Sequence, residues 1–129
     1  MSIEYIAPEG VHQARGYTHV VKTQGSKTVY ISGQVGVKPD GSFANGLEEQ
    51  SKQAYENLAA CLASAGAGIE HVAKLNTYIV DYTPEKRDAA SAGRRATFGD
   101  RFPASTLIGV QALAMPELQI EVEAIAILD

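Results

Sequence analysis

The 129-residue sequence has little of several features that would assign it to a special class of protein. It has no tryptophan and a single cysteine, Cys61, which cannot form an internal disulfide. Its 11 Lys and Arg against 15 Asp and Glu give a formal net charge of −4, which provides no basic surface for nucleic acid. No apolar run approaches the ~20 residues of a membrane-spanning helix. These absences exclude a disulfide-stapled fold, disfavour a nucleic-acid partner and predict no membrane association.

Targeting and linker sequences are also missing. The N-terminus has neither a basic region nor an apolar stretch of the kind that a secretory signal carries, so we expect a cytoplasmic protein. No repeat, linker or low-complexity segment interrupts the chain. Because a chain of this length buries a core without staples, the sequence predicts one domain over residues 1–129.

The most regular pattern lies near the C-terminus, where apolar and polar residues alternate from Leu118 onward. Strand side chains alternate between two faces, so the apolar set shares one face, and Glu121 and Glu123 share the other. That second face also carries Ile125 and Ile127. A face that mixes acids with large apolar side chains is expected to be covered by another part of the protein.

The remaining patterns predict an α+β fold in the order β, β-hairpin, α, β, α, β, β. The elements are an edge strand at 3–7, hairpin strands at 17–23 and 27–33, a helix at 47–65, a strand at 72–81, a helix from 83 to between 98 and 102, and two closing strands. Helical spacing of apolar residues indicates the first helix, and Thr83-Pro84-Glu85 is a typical helix start. A glycine between the two hairpin strands favours a tight turn.

Two helices cannot cover both faces of this sheet, so we expect both on the face that bears Val29, Ile31 and Ile120. The opposite face would mix polar, aromatic and apolar residues. These are Tyr17, His19, Ser32, Asn76, Tyr78, Leu107, Ile125 and Ile127, beside the two acids. Since a monomer would expose this face, the sequence predicts a homo-oligomer packed through its sheets, with pockets at the seams.

The two glutamates of the last strand are the strongest candidates for chemistry. They are spaced about two strand rises apart, ~7 Å, and could act as an acid–base pair or hold a water. The alternative is that both are charges at a rim or an interface. His19 is a second candidate on the same face, and its alternative is a purely structural role.

No cofactor or metal is indicated. His12 and His71 lie in predicted loops without metal-ligand spacing, and the glycines form neither a phosphate-binding loop nor a dinucleotide fingerprint. Cys61 falls on the apolar stripe of the first helix, where a small buried side chain is expected.

Four segments in combination resemble the Rid (YjgF) family of enamine/imine deaminases, also called L-PSP endoribonucleases. They are Ile31-Ser32-Gly33-Gln34, Leu75-Asn76-Thr77-Tyr78, Phe102-Pro103-Ala104-Ser105 and Ile120-Glu121-Val122-Glu123-Ala124-Ile125-Ala126. The resemblance implies a chorismate-mutase-like fold, with a mixed, mainly antiparallel sheet and two helices on one face. It also implies a homotrimer with clefts between subunits, in which Glu121 positions the attacking water and Tyr17, Ser32 and Gly33 line the same cleft.

The sequence departs from the family pattern at two positions that the resemblance places in this cleft. Deaminating members have an arginine after the F-P-A segment, which pairs with the substrate carboxylate, and here that position is Ser105. Many members have a cysteine where this chain has Leu107. A hydroxyl cannot make the bidentate, charge-assisted contact of a guanidinium, so we expect a ligand other than a simple 2-iminoacid. Arg94, Arg95 or Arg101 could replace the missing arginine, or could belong to a solvated helix face.

The predicted function is hydrolysis of a small enamine, imine or related metabolite in an intersubunit cleft. The alternative is a non-catalytic trimer that binds and senses a small metabolite. Ribonuclease activity is a third possibility, for which the sequence provides no metal site and no evident histidine pair.

Overall fold

The computed structural model describes all residues from 1 to 129. Its strands are β1 (Ser2–Ile6), β2 (Val20–Gln24), β3 (Lys27–Val35), β4 (Val72–Val80), β5 (Ala104–Val110) and β6 (Ile120–Leu128). Its helices are α1 (Gly46–Ser64), α2 (Arg87–Ala90) and α3 (Ala92–Phe98), with 3₁₀ turns at Ile69–His71 and Pro84–Lys86. None of the helices has the length and apolar character needed to span a bilayer.

The main sheet has the order β3-β6-β4-β5. Strand β6 pairs antiparallel with both β3 and β4, and only the β4–β5 pair is parallel. The prediction of an α+β fold with a mixed, mainly antiparallel sheet is therefore confirmed. Strand β5 lies at one edge of this sheet, with its outer backbone groups unpaired within the chain.

The core lies between the main sheet and the helices. Leu58 and Leu62 of α1 are fully buried in one cluster with Ile31, Val122 and Ala124 of the sheet. Helix α3 packs beside α1 and contributes Phe98 to the same cluster. The helices thus cover the face predicted from Ile31 and Ile120, and the face with Glu121 remains without helices.

The second predicted helix is interrupted. A single helix from residue 83 was expected, but the chain forms a 3₁₀ turn, then α2, a break at Ser91, and α3. The hydroxyl of buried Ser51 donates to the Ala90 carbonyl (2.6 Å) and accepts from the Gly93 amide (2.9 Å). Because this side chain satisfies backbone groups on both sides of the break, the interruption leaves them paired.

The predicted hairpin of β2 and β3 is wrong. Strand β2 pairs with β1 in a separate two-stranded sheet, while β3 pairs with β6. The turn between them passes across the end of β6, where the Ser26 amide donates to Asp129 Oδ1 (3.0 Å). Strand β2 also begins three residues later than predicted, because the Thr18 amide donates to the Pro103 carbonyl (3.2 Å) and holds residues 17–19 in a loop.

Candidate functional site

A bulge in β3 brings Gly33 against Glu121 on the face without helices. The pairing of β3 with β6 shifts between Ile31 and Gln34, so Ser32 and Gly33 together oppose one residue of β6. A Cβ added to Gly33 would lie 1.7 Å from Glu121 Oε2. Only glycine therefore permits this approach of the carboxylate to the backbone.

Glu123, the second acid of this face, is engaged by neighbouring side chains. Asn76 Nδ2 donates to Glu123 Oε2 (3.2 Å). The pKa of Tyr78 is raised, first by partial desolvation and then by the negative charge of Glu123 and the hydrogen bond between Tyr78 and Glu123. The charge of Glu121 adds to this shift. Glu123 thus serves a structural polar cluster, whereas the partly buried Glu121 makes no such side-chain hydrogen bond.

Ser105 and Leu107 lie on the other side of the sheet. Residues paired directly across two strands point to the same face, and Leu75 and Thr77 of the core pair with Ser105 and Leu107. Both β5 side chains line a cavity of about 580 Å³ between the sheet edge and the helices. The prediction that Leu107 shares a face with Glu121 is therefore wrong, because the parallel register of β5 turns it toward the helices.

Tyr17 lines the same helix-side cavity, which contradicts its predicted place beside the acids. Thr18 binds Phe102 through its hydroxyl and Pro103 through its amide, and so fixes the loop next to the start of β5. These bonds reach across more than eighty positions in sequence, so the strand pattern of residues 17–23 could not reveal them.

A histidine pair that the sequence did not reveal stands beside Tyr17. The rings of His12 and His19 meet edge to face with centroids 4.8 Å apart, and His19 makes a similar contact with Tyr17 (5.2 Å). His12 Nε2 lies 3.1 Å from the Tyr17 hydroxyl, and His19 Nε2 donates to the His12 carbonyl (2.7 Å). His19 therefore supports the loop that carries Tyr17, and none of these contacts reaches Glu121.

Two of the three arginines left open by the sequence, Arg94 and Arg95, line the cavity, and Arg94 is the more buried of them. Arg94 of α3 lies with its guanidinium 5.4 Å above the centroid of the Phe102 ring. Its Nη1 is buried without a hydrogen-bond partner. Burial lowers the pKa of Arg94, although an arginine keeps its proton at neutral pH.

The base of the cavity is formed by two residues that sequence analysis missed. The buried Tyr55 hydroxyl lies 3.3 Å from Thr77 Oγ1, and burial raises the pKa of this tyrosine. Tyr55 falls beside the apolar stripe of α1, and Thr77 occupies a core position of β4. Tyr55 carries no motif, and Thr77 lies in a segment of the family resemblance that gives it no role, so only the packing of α1 over the sheet edge could identify them.

The candidate residues thus form two groups on opposite faces of one chain. Ser32, Gly33 and Glu121 lie on the face without helices, whereas Tyr17, Ser105 and Leu107 line the helix-side cavity. No three His, Cys, Asp or Glu side chains cluster in an arrangement that could hold a metal ion. Within one chain, the sheet itself separates the acid from the cavity.

Comparison with known proteins decides the family. The family model for endoribonuclease L-PSP matches residues 9–128. The chain belongs to the endoribonuclease L-PSP family. Among members of this family, the human protein named 2-iminobutanoate/2-iminopropanoate deaminase is 32% identical over 103 residues, or 78% of this chain and 73% of that protein. A RutC family protein of Aquifex aeolicus is 30% identical over 86% of this chain and 87% of its own length.

Solved structures of L-PSP family members share the fold. A Rid-family protein of unknown function from Yersinia pestis superimposes with a TM-score of 0.90 at 36% identity, covering 99% of this chain and 100% of that one. RidA from an Antarctic Psychrobacter superimposes with a TM-score of 0.72 at 28% identity, covering 97% and 99% of the two chains. The resemblance first recognised in four segments therefore extends over nearly the whole chain.

Proposed function

We propose that this protein is a homotrimeric hydrolase of the enamine/imine deaminase type, with each active cleft formed by two subunits. The observation that carries the proposal is the division of the candidate residues between two faces of the sheet. Glu121 of one subunit can join Tyr17, Ser105 and Leu107 only if those come from a neighbour. A partner packed on the face without helices would also cover Ile125 and Ile127.

The chemistry assigned to Glu121 is the hydration of a carbon–nitrogen double bond. Glu121 accepts a proton from water as the water oxygen bonds to the C=N carbon, and passes that proton to the nitrogen to give a carbinolamine. Glu121 then takes the proton of the hydroxyl, which becomes a carbonyl, and gives it to the amino group, so that the carbon–nitrogen bond breaks and ammonia leaves. Its position against Gly33 and its freedom from side-chain bonds support this role over one for Glu123.

The substrate is proposed to be larger than the short 2-iminoacids in the names of the human and murine relatives. Ser105 is short and neutral, and Leu107 makes the adjacent wall apolar. The cavity of about 580 Å³ is of the size that usually accepts a small organic ligand. A substrate with a bulkier side chain can therefore fill the space beside Ser105.

The first test measures ammonia release from imines generated in situ by an amino-acid oxidase, with alanine, leucine and phenylalanine as precursors. We expect turnover with the larger precursors, loss of turnover in Glu121→Gln, and retained turnover in the matched Glu123→Gln variant. Light scattering should give about three times the chain mass of 13.7 kDa for all three proteins. A stable monomer, or activity lost only in Glu123→Gln, would contradict the proposal.

A second test compares Ser105→Arg with the wild type on the imine from alanine. The added guanidinium supplies a charge-assisted contact for the carboxylate, so turnover of this short substrate should rise. Ligand binding with no ammonia release from any imine would instead favour the non-catalytic binding module. Cleavage of RNA that depends on His12 and His19 but not on Glu121 would favour a ribonuclease.

A further inference from the structure

Among the buried side-chain nitrogen and oxygen atoms of the chain, Nη1 of Arg94 lacks a hydrogen-bond partner. A buried polar atom without a partner is destabilising, and one on a charged group more so. Arg94 also makes none of the chain's salt bridges. Nη1 itself is enclosed by the protein, but Arg94 as a whole is only half-buried and lines the cavity, so the rest of its guanidinium faces an incoming ligand without an acidic partner.

Two neighbouring residues, Phe102 and Gly16, lie against this guanidinium. It stacks over Phe102, the residue whose carbonyl also binds the Thr18 hydroxyl. On another side Gly16 approaches it, with its Cα so placed that a Cβ would lie 3.9 Å from Arg94 Nη2. Gly16 has φ +79°, a conformation that favours glycine and allows the loop to turn there.

The other charged groups at the cavity do not compete for this role. Arg95 is paired with Asp88 (3.3 Å), and Arg15 and Arg87 are exposed, so water screens their charges. The acids at the cavity are Asp88, which Arg95 occupies, and Glu85, whose pKa is lowered by backbone and Thr83 hydrogen bonds. Neither forms an ion pair with Arg94. Arg101 is exposed and outside the cavity lining.

We infer that Arg94 binds the carboxylate of a ligand in this cavity, and so supplies from α3 the cation that position 105 of β5 lacks. A planar guanidinium suits a carboxylate, with which it makes paired hydrogen bonds. Tyr17, Leu107 and Pro84 provide aromatic and apolar walls for the rest of the ligand. The ligand class is accordingly a monocarboxylate with an apolar body. As a substrate assignment this rests on the proposed function, but the binding itself is independent of it.

The experiment uses calorimetric titration of the full-length protein with 4-methyl-2-oxopentanoate, a stable acid that contains no imine. Its primary amide serves as the uncharged probe of matched shape. The wild type should bind the acid at least about tenfold more tightly than the amide. Arg94→Gln should weaken binding of the acid by about ten- to a hundredfold and leave the amide unaffected, as expected for the loss of a charge-assisted bond. The control Arg101→Gln should bind both probes like the wild type.

Outcomes that overturn the inference are equal binding of acid and amide, or unchanged acid binding in Arg94→Gln. Displacement of the acid by equimolar inorganic phosphate would also overturn the monocarboxylate class. If Arg94→Gln does not fold by circular dichroism, Arg94→Lys replaces it. This variant keeps the charge but loses the paired geometry, and weakened acid binding is again expected.

The inference and the proposed function fail in different ways. Carboxylate binding that depends on Arg94, together with no ammonia from any imine, would leave this site standing and remove the deaminase proposal. Ammonia release with an unchanged KM in Arg94→Gln, together with no binding of the acid, would leave the deaminase and remove this site.

Discussion

The carboxylate of Glu121 rests on the backbone of Gly33, with the position of a side chain at residue 33 lying 1.7 Å from Oε2. The two residues are 88 positions apart and meet because the β3 bulge places an unpaired stretch of backbone beside β6. The free carboxylate thus has a fixed location, although no side chain binds it.

This contact predicts the effect of Gly33→Ala. The added methyl group must displace the Glu121 carboxylate, so ammonia release should fall to the level of Glu121→Gln while the fold is retained. The double variant should be no less active than Glu121→Gln alone, because both changes act through the same carboxylate. Additive losses in the double variant would show that Gly33 acts independently of Glu121.

A second prediction concerns the tyrosine beside the acids. Desolvation, Glu123 and Glu121 together raise the pKa of Tyr78 above the ordinary tyrosine value of 10.0. Removing one negative charge in Glu123→Gln should lower this pKa toward the ordinary value, because the tyrosinate then meets less repulsion. Ultraviolet difference titration would follow it, with Tyr78→Phe to identify the signal among the six tyrosines. An unchanged titration midpoint in Glu123→Gln would show that Glu123 does not raise the pKa of Tyr78.

The same shift has a consequence for stability in alkali. A folded-state pKa above that of the unfolded chain means that stabilisation is complete below pH 10.0 and declines as pH rises through the folded value. The wild type should therefore lose stability above this pH more steeply than Tyr78→Phe. Thermal melts at a series of alkaline pH values would check this, and parallel curves would refute it.

Subunit mixing tests whether two chains share a site. At substrate concentrations below the wild-type KM, Glu121→Gln should be inactive and Arg94→Gln strongly impaired, but a mixed trimer contains clefts that join intact Glu121 from one chain to intact Arg94 from another. A cyclic trimer that contains both chains has such a cleft at about one of its three interfaces. Co-expressed, doubly tagged trimers should therefore recover about a third of the wild-type ammonia release. No recovery in verified mixed trimers would indicate that the two residues do not share a site.

Gly93 predicts a stability effect at the contact of α1 and α3. A Cβ there would lie 2.2 Å from the Ser51 carbonyl oxygen and 2.6 Å from Tyr55 Cδ2. Gly93→Ala should lower the free energy of unfolding by about 1–3 kcal/mol through overpacking. Urea unfolding should show a lower midpoint with the same slope, whereas Ala96→Ser on the exposed side of α3 should change little.

Sequence periodicity predicted those features that follow from alternation alone. The faces of β6, the helix later found at Gly46–Ser64 and the side of the sheet that it covers all depend on which residues are apolar. The order of the strands in the sheet, and the wrong prediction of a β2–β3 hairpin, depend instead on pairing between distant strands. Turn composition cannot say whether β2 will pair with its neighbour in sequence or with β1, since the pairing depends on distant strands.

The sequence identified several residues of the candidate site but not how these residues are arranged in space. Glu121 and Gly33 do meet, but the face of Ser105 and Leu107 is set by their parallel register with β4, which no local pattern encodes. The position of Tyr17 depends in the same way on hydrogen bonds from Thr18 to the chain before β5. Among three arginines of similar local context, only packing distinguishes Arg94.

The short helix that begins after the break at Ser91 can change in sequence independently of the sheet. Glu121 and the β3 bulge belong to the sheet, whereas Arg94 belongs to a seven-residue helix that packs on α1 through Gly93, Phe98 and the buried Ser51 hydroxyl. Drift within that short helix can relocate a ligand's charge without disturbing the strands that hold the acid. Segment exchange between relatives over residues 84–98 should thus transfer ligand preference as a unit, while Glu121 and Gly33 stay in place.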